Sequence, residues 1–595
     1  MITSAILILI VAKALPVLNT HIYSIHITRI TSIVFLFAGA LSLNTLNLES
    51  IGSGIGLYSG LFQVTAISQL IEIFLFMIGG GILIAWPQIK KNLTSHPLLV
   101  PLSAKQGEGK GQSKGGEKIT LLLTDKYSTD YSLVVLFSSL GSSLLISSYD
   151  LISIYLSIEL QSFGLYVLST LYRDSESSTS AGLKYFLLGG LSSCIILLGT
   201  GIIYSYTGTT NLESLYIINS IIDTAQMQQY IIQGINLGLS LIFIGFLFKI
   251  AAAPLHNWSP DVYDGTPTIV TTWLTIIPKI AILIILLELQ IKLGVIGGIK
   301  TIIINNSGYL FNLSQSLISL FNTFNLSNLG INFLAPGSLG FEENLDNSII
   351  FNNNIIKTLL LISATLSLII GSLLGLAQIR IKRLLAYSTI SHIGFILLAL
   401  AVNTEQSIDS FIFYIIQYTI TNLNIFLVIL GLTYIINNTV NKDISFISEF
   451  KGLFFSNPLL CFSLAVSLFS MAGIPPLIGF FSKQLVLYSA LQNGYYFISV
   501  LAIIVSVISC SYYLQIIKLL FTPSDLETTD LKTEAENYSP SVSGGVILFD
   551  KNEIILTNTH SYLISILTFS ILFFFIKPSL ILNSTQLLSL SLFYI

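Results

Sequence analysis

The sequence predicts an all-α polytopic membrane protein with about fourteen transmembrane helices, and three observations predict it. Apolar residues fill 53% of the 595 positions, while Asp, Glu, Lys and Arg fill 9%, against about 25% in a soluble domain. Mean hydropathy is +0.83. The apolar residues also lie in long uninterrupted runs, near the ~20 residues a helix needs to cross the hydrocarbon core. Together these exclude a soluble globular protein, a disordered chain and a basic nucleic-acid binder. The runs are too long for barrel strands and lack their alternation, so strands are not expected.

In order, the spans are expected at 2–20, 28–47, 64–86, 130–148, 150–172, 181–206, 231–256, 267–290, 357–377, 384–402, 408–436, 457–491, 494–520 and 560–583. The first run lacks the ordered basic head, short apolar core and cleavage site of a signal peptide, so it is read as a span that stays. Spans four and five meet around Tyr149 with hardly a break. The twelfth is long because Pro475 and Pro476 interrupt it. Three polar inserts separate the runs: SAKQGEGKGQSKGGEK at 103–118, the Asn- and Ser-rich 300–350, and the acidic 523–553. Each reads as a solvated loop.

Lys and Arg gather in alternate loops: Arg29; Lys90, Lys91, Lys105, Lys110, Lys114, Lys118 and Lys126; Arg173; Arg380, Lys382 and Arg383; Lys442 and Lys451; Lys532 and Lys551. The opposite loops are nearly bare, with Lys292 and Lys300 in one of them. The positive-inside rule puts the first set on the matrix or cytoplasmic side, and an even number of spans puts both termini on the other. The net charge of −3 names no partner. Cys194, Cys461 and Cys510 are far apart in apolar runs and read as small core residues. Gly52-Ser53-Gly54-Ile55-Gly56 follows no strand, and the 107–116 glycines lack a Gly-Lys-Ser/Thr ending, so neither is a phosphate loop. No nucleotide, haem, zinc or hydrolytic constellation is present, so no metal or cofactor is expected in this chain. Abundant Ile, Leu, Asn, Phe and Tyr hint at an AT-rich coding genome, such as an organelle's.

Charges inside the apolar runs carry the functional argument. An ionisable group at the bilayer centre costs about 2.5–3.5 kcal/mol even on the lenient insertion scale, so it must face protein, water or a counter-charge. Glu159 lies mid-span in LISIYLSIELQSFGLYVL, with Tyr155, Ser162 and Tyr166 on its face. Lys249 lies in IFIGFLFKIAAAPLHNW, and Lys279 in TTWLTIIPKIAIL with Thr271, Thr272 and Thr275 on its face. Lys483 lies in PPLIGFFSKQLVL, Lys184 opens span six in AGLKYFLLGG, and His392 follows Ser388 by one turn. The bland readings differ. Lys184 is shallow enough to snorkel to the surface, His392 suits a satisfied core histidine, and Glu72 in SQLIEIFLFMIG suits a structural polar group. Lys249, Lys279 and Glu159 are too deep for that. One acid with several buried lysines suggests a proton relay. Burial and a neighbouring opposite charge push such groups in opposite directions, so changing a Glu–Lys spacing loads or releases a proton. Lysine suits this because it can deprotonate where arginine does not.

Prolines mark the same places. A helix-interior proline frees the carbonyl four residues back. Pro254 frees that of Ile250, Pro278 that of Leu274, and Pro475 and Pro476 those of Met471 and Ala472. Freed carbonyls at membrane depth are tolerated only against protein or water, and paired broken helices mark ion pathways. FLFKIAAAPL (246–255) aligns with SLFSMAGIPP (467–476) at Leu247/Leu468, Phe248/Phe469, Ala251/Ala472 and Pro254/Pro475, which suggests two related bundles. Span eleven adds a polar stripe of Tyr414, Gln417, Thr421 and Asn424, suited to carry water between them.

DLISIYLSIELQSFGLYVLSTL, AGLKYFLLGGLSS, FKIAAAPLHNWSPDVYDGTPT, LLAYSTISHIGF and MAGIPPLIGFFSKQLVL resemble the antiporter-like subunits of respiratory complex I, and GIGLYSGLF resembles their fungal form. The resemblance implies fourteen spans with two inverted five-helix repeats, each with a broken helix. On that reading 1–129 holds helices one to three and a matrix loop, and 130–290 the first repeat. Residues 291–356 are an insert, 357–520 the second repeat, and 521–595 a loop and helix fourteen. It implies a core subunit of the membrane arm in the mitochondrial inner membrane, translocating protons as other subunits oxidise NADH and reduce ubiquinone. NADH, FMN, iron–sulfur clusters and ubiquinone would belong to those partners. Other membrane-arm subunits, further antiporter-like chains among them, and lipids would be its neighbours, with no role for nucleic acid. By motif Glu159 matches the coupling glutamate, Lys249 the lysine of the first broken helix, and Lys279 the one after it. Lys184 matches the GLKYF lysine and Lys483 that of the second broken helix. Glu159 and Lys249 would be the input pair, Lys279 the carrier, Lys483 the output or the link to a neighbour, and Lys184 a group tuning Glu159 or the access route. The alternatives are a stand-alone or Mrp-like cation/proton antiporter subunit without redox coupling, and a purely structural membrane-arm subunit.

Overall fold

The structure, a computed structural model, describes residues 1–15, 24–48, 54–84, 116–221, 229–292, 347–437, 443–523 and 557–593. The inserts at 103–118, 300–350 and 523–553 lie almost wholly outside the described residues. Helices dominate: α1 (Ile2–Ala14), α2 (Ser24–Thr45), α3 (Ala66–Ile84), α4 (Gly116–Ser147), α5 (Leu151–Ser169), α6 (Glu176–Thr207) and α7 (Leu212–Ile221). They continue with α8 (Gln229–Lys249), α9 (Trp258–Gly265), α10 (Thr268–Lys292), α11 (Asn347–Leu376), α12 (Ile381–Val402) and α13 (Glu405–Asn437). The remainder are α14 (Leu453–Ser456), α15 (Pro458–Ala472), α16 (Ile478–Gln492), α17 (Tyr496–Phe521), α18 (Asn558–Leu572) and α19 (Ser579–Phe593). Eleven described helices are long and apolar enough to cross a membrane. Shorter apolar helices Ile2–Ala14, Gln233–Lys249 and Pro458–Ala472 stand where spans one, seven and twelve were expected. Every expected span therefore has a helix.

Local chemistry sets the helix ends. Asp150 caps α5 by accepting from the Ile152 N–H, with Ser153 completing a capping box. That cap lets α4 turn into α5 within three residues. Gly208 and Gly473 close α6 and α15 in the left-handed conformation, at φ 71° and 86°. In a bilayer, helices hold together by close packing more than by apolar burial, so small residues sit at crossings. A Cβ on Gly141 of α4 would stand 2.5 Å from the Gln161 nitrogen of α5, and Gly164 of α5 packs on Ser138 of α4. The same device joins α11 and α12, with Gly371 on Ser391 and Gly394 on Ser367. The recurrence extends the faint repeat in the sequence to a second pair of elements.

Both breaks are where the prolines put them. α8 stops at Lys249, and the chain passes through Ala251 at φ 61° and a cis Ala253–Pro254 bond into α9. α15 stops at Ala472, and the chain passes through Gly473 and a cis Pro475–Pro476 bond into α16. Span seven, expected to reach 256, is thus shorter.

Three features differ from expectation. A short antiparallel hairpin, β1 (Ile55–Leu57) and β2 (Phe62–Val64), lies between α2 and α3. Tyr58 and Ser59 make its turn at positive φ, a conformation that suits a tight hairpin, and three-residue strands are too short to show alternation. The Leu61 carbonyl accepts from the Tyr149 N–H and the Ser153 hydroxyl, so the hairpin covers the α4–α5 turn. α4 begins at Gly116, well before the expected span. Cys194 is exposed on α6, whereas Cys461 is buried. A thiol is apolar enough for an outward position at membrane depth, which an expectation of core burial overlooks.

Candidate functional site

The site begins where α5 meets the broken end of α8. The Lys249 ammonium donates to the Glu159 carboxylate at 3.1 Å and approaches the Ser162 hydroxyl at 3.4 Å. Their side chains are 7% and 15% exposed, so the pair is held away from solvent. Beside it lies a cleft lined by Gln161, Ser162, Tyr166, Lys249, Trp258 and Pro278, among others. Tyr185 stacks on Trp258 with ring centroids 4.8 Å apart and meets Tyr166 edge-on at 4.9 Å. The Trp258 indole N–H donates to the Phe248 carbonyl at 2.9 Å and so caps the end of α8.

Lys279 is fully enclosed on α10. Its ammonium reaches the Tyr418 hydroxyl at 3.5 Å and lies 5.5 Å from the Tyr263 ring. It meets no carboxylate among the described residues. Thr271, Thr272 and Thr275, expected to face it, bond instead to carbonyls one turn back on α10. The hydroxyl at Lys279 comes from α13. His392 follows on α12: its Nδ1 lies 2.7 Å from the Tyr414 hydroxyl and its Nε2 3.3 Å from that of Tyr513. Its ring also sits 6.0 Å from that of Tyr418. Tyr414 stacks on Phe395, and the Lys483 ammonium lies 5.7 Å from the Phe395 ring.

Lys483 resolves the second break. Its ammonium donates to the Met471 and Ala472 carbonyls, at 3.0 and 2.9 Å. These are the two carbonyls the prolines were expected to free. They form the negative end of α15, where a cation is favoured. Of the expected α13 stripe, Tyr414 binds His392, and Gln417 accepts from the Ser482 hydroxyl and donates to that of Thr421. Asn424 is buried without a protein partner, and Asn422, which the sequence reading passed over, is buried beside Tyr418.

Lys184 goes elsewhere. It is half-exposed and donates to Asp261 at 2.9 Å, while its neighbour Tyr185 faces the cleft. Asp261 also accepts from Arg383 at 2.6 Å, and Asp264 from Arg380 at 2.6 Å. Lys382 donates to Asp443 and to the Thr266 carbonyl, and Asp443 accepts from the Thr268 N–H and hydroxyl. Burial alone would raise the Asp443 carboxyl, but the Lys382 ammonium and these hydrogen bonds outweigh it and hold it below the usual 3.8. The result is a clasp at one end of the bundle, tying α6, α9, α10 and α12 together.

Sequence reasoning missed Glu288, which is buried on α10 and paired with Lys292 at 2.9 Å. It missed Gln161, whose neutral side chain raises no alarm in an apolar run. It missed the clasp acids, whose charged partners lie 61 to 122 residues away. Among the described residues no cluster of three or more His, Cys, Asp or Glu could hold a metal ion.

The family described as NADH:quinone oxidoreductase/Mrp antiporter, transmembrane, matches residues 148–335 and 337–509. The chain is 42% identical over 595 residues to NADH-ubiquinone oxidoreductase chain 2 of Rhizopus oryzae, covering 99% of each. It belongs to the antiporter-like membrane subunits of respiratory complex I. The fold agrees with that family. A chain of respiratory complex I from Thermus thermophilus superposes with a TM-score of 0.63 at 23% identity, over 98% of this chain and 99% of that one. A chain of the Mrp complex from a Dietzia species does so with a TM-score of 0.66 at 17% identity, over 100% and 97%. At those identities the likeness is of fold. As a member of this family with eleven candidate spans among its described residues, the chain is a multi-pass membrane protein.

Proposed function

We propose that this antiporter-like subunit works in the membrane arm of NADH:ubiquinone oxidoreductase, in the mitochondrial inner membrane, and carries protons along its buried charged row. The observation that carries this reading is the Glu159–Lys249 ion pair, formed across two helices at a broken helix end. A buried ammonium is tolerated beside a carboxylate and costly without one. Drawing Glu159 away therefore drives the proton off Lys249, and restoring it draws a proton back. Lys279 is the next acceptor, the Tyr418 hydroxyl and His392 lead toward α12, and Lys483 ends the row. Lys184 acts outside the row, by holding α9 through Asp261. NADH, FMN, iron–sulfur clusters and ubiquinone belong to partner subunits, as do the redox steps. The two five-helix repeats span 130–290 and 357–520. By the positive-inside rule the clasp faces the matrix and both termini face the intermembrane space.

The test is proton pumping per NADH oxidised, in vesicles holding the assembled complex, for wild type and Lys249→Ala. The expected result is normal assembly with pumping reduced about tenfold or more, because a relay fails at its missing member. Unchanged pumping refutes the role of Lys249. The Mrp-like fold supports one rival, a cation/proton antiporter without redox coupling. Co-purification of the chain with flavin- and iron–sulfur-containing subunits decides against it.

A further inference from the structure

α11 and α17 touch at two levels. Near one end, the Lys357 ammonium of α11 lies 5.2 Å from the centre of the Tyr495 ring, which immediately precedes α17. Near the other, Gly375 of α11 packs on the Tyr512 ring, where an added Cβ would stand 3.1 Å away. Between these contacts a groove of about 300 Å³ opens along α17 from Phe497 to Ile508, against Ile369 and Leu373 of α11. Val505 is buried at its floor, and Val500 and Ile504 stand exposed along its rim. Ser372 also lines it but turns its hydroxyl onto the Ile369 carbonyl of its own helix, so the groove offers water no free polar group. A gap between helices at membrane depth loses contacts along its walls until apolar atoms fill it.

The dimensions select the filler. Phe497 to Ile508 spans about 16 Å of helix, close to the ~15 Å depth of one leaflet. Spread over that length, the groove is about 4–5 Å wide, too narrow for a helix of ~10 Å and suited to a single hydrocarbon chain. Chemistry at the Phe497 end completes the match. Lys357, Tyr495 and the exposed Tyr496 stand together there, a basic and aromatic group of the kind that marks headgroup level. This end is opposite the clasp, because Arg380 follows the far end of α11.

We propose that this groove holds a phospholipid, with one acyl chain between α11 and α17 and its phosphate at the Lys357 ammonium. The site does not depend on the relay reading. The acyl chain fills the gap that the two helix contacts hold open, and the ammonium meets the phosphate charge at the surface. The lipid braces α17, whose Tyr513 hydroxyl lies 3.3 Å from His392 Nε2, against α11. It differs from the lipid around the rest of the chain in having walls on two sides and a cation at its head, so it exchanges more slowly.

The test places the assembled complex in vesicles containing a phospholipid with a photoreactive diazirine on its acyl chain. The complex is washed with detergent, illuminated and digested, and the labelled peptides are identified by mass spectrometry. Leu187 and Leu191, on the exposed face of α6, report ordinary surrounding lipid. The expected result is label on 369–373 and 497–508 that survives the wash about threefold or more above that on α6. Ile504→Trp, which fills the groove from its exposed rim, and Lys357→Gln, which removes the cation, should bring it down to the α6 level, while Lys357→Arg keeps it. Groove label that washes out as fast as label on α6 overturns the site, and that comparison needs only the wild type. Undiminished label in Ile504→Trp overturns it too. So does an unlabelled groove whose residues cross-link to a neighbouring subunit, which would make the filler protein.

Discussion

Lys483 shows how one side chain serves both a fold and a site. Its ammonium supplies hydrogen bonds that Met471 and Ala472 have lost to the break in the helix. Lys483→Met should therefore lower the stability of the assembled membrane arm by about 1–3 kcal/mol, the usual cost of leaving a buried acceptor unpaired. Lys483→Arg keeps donors and charge but does not release its proton, so it should assemble and lose pumping. Thermal inactivation of the complex, read beside its proton-to-NADH ratio, checks both outcomes. A Lys483→Met variant of wild-type stability would remove the structural half of the argument. The same residue was conspicuous in the sequence, as were Glu159, Lys249, Lys279 and His392, because a titratable group in an apolar run needs a reason. Glu288 was hidden by position: with Lys292 in the next turn it reads as the polar end of a span. Gln161 was hidden by neutrality.

Elements explain why Lys184 pairs with Asp261. α6 presents Lys184 outward to Asp261 and Tyr185 inward to Trp258, so adjacent residues serve the clasp and the cleft. The clasp reaches α9, which follows the Lys249 break, α10, which carries Lys279, and α12, which carries His392. None of this was legible from local pattern, since the contacts join segments far apart in the chain. Asp443→Asn leaves the Lys382 ammonium, 7% exposed, without its counter-charge. The expected cost is on the order of 1–3 kcal/mol, below that of a fully buried pair because Asp443 is partly exposed. The pH dependence follows from the depressed carboxyl. Its stabilisation is fully present above 3.8 and is lost as pH falls through the lower folded value. The melting difference between wild type and Asp443→Asn should thus stay flat from roughly pH 5 to 8 and close only in stronger acid. A difference that fades near neutrality would point to another group.

At the scale of the whole molecule, the fourteen apolar runs were enough to place every spanning element, because length and hydropathy are nearly sufficient when the solvent is lipid. The hairpin and the terminal helix Ser579–Phe593 escaped, being short or outside the runs. The basic loops also orient the bundle. An epitope added before Met1 or after Ile595 should be digested by protease added to mitoplasts with an intact inner membrane, while one placed beside Lys451 should be protected. Protection of both terminal epitopes would invert the orientation. The two broken helices, alike in architecture, give their lysines partners of different kinds. Glu159 is a carboxylate and takes up a proton as well as neutralising one. The Met471 and Ala472 carbonyls only neutralise. A proton at the first break therefore has a way back onto the partner of its own lysine, and one at the second has none. On the proposed relay, the two similar halves therefore hold their protons differently: the first break sets a second base beside its lysine, and the second sets none.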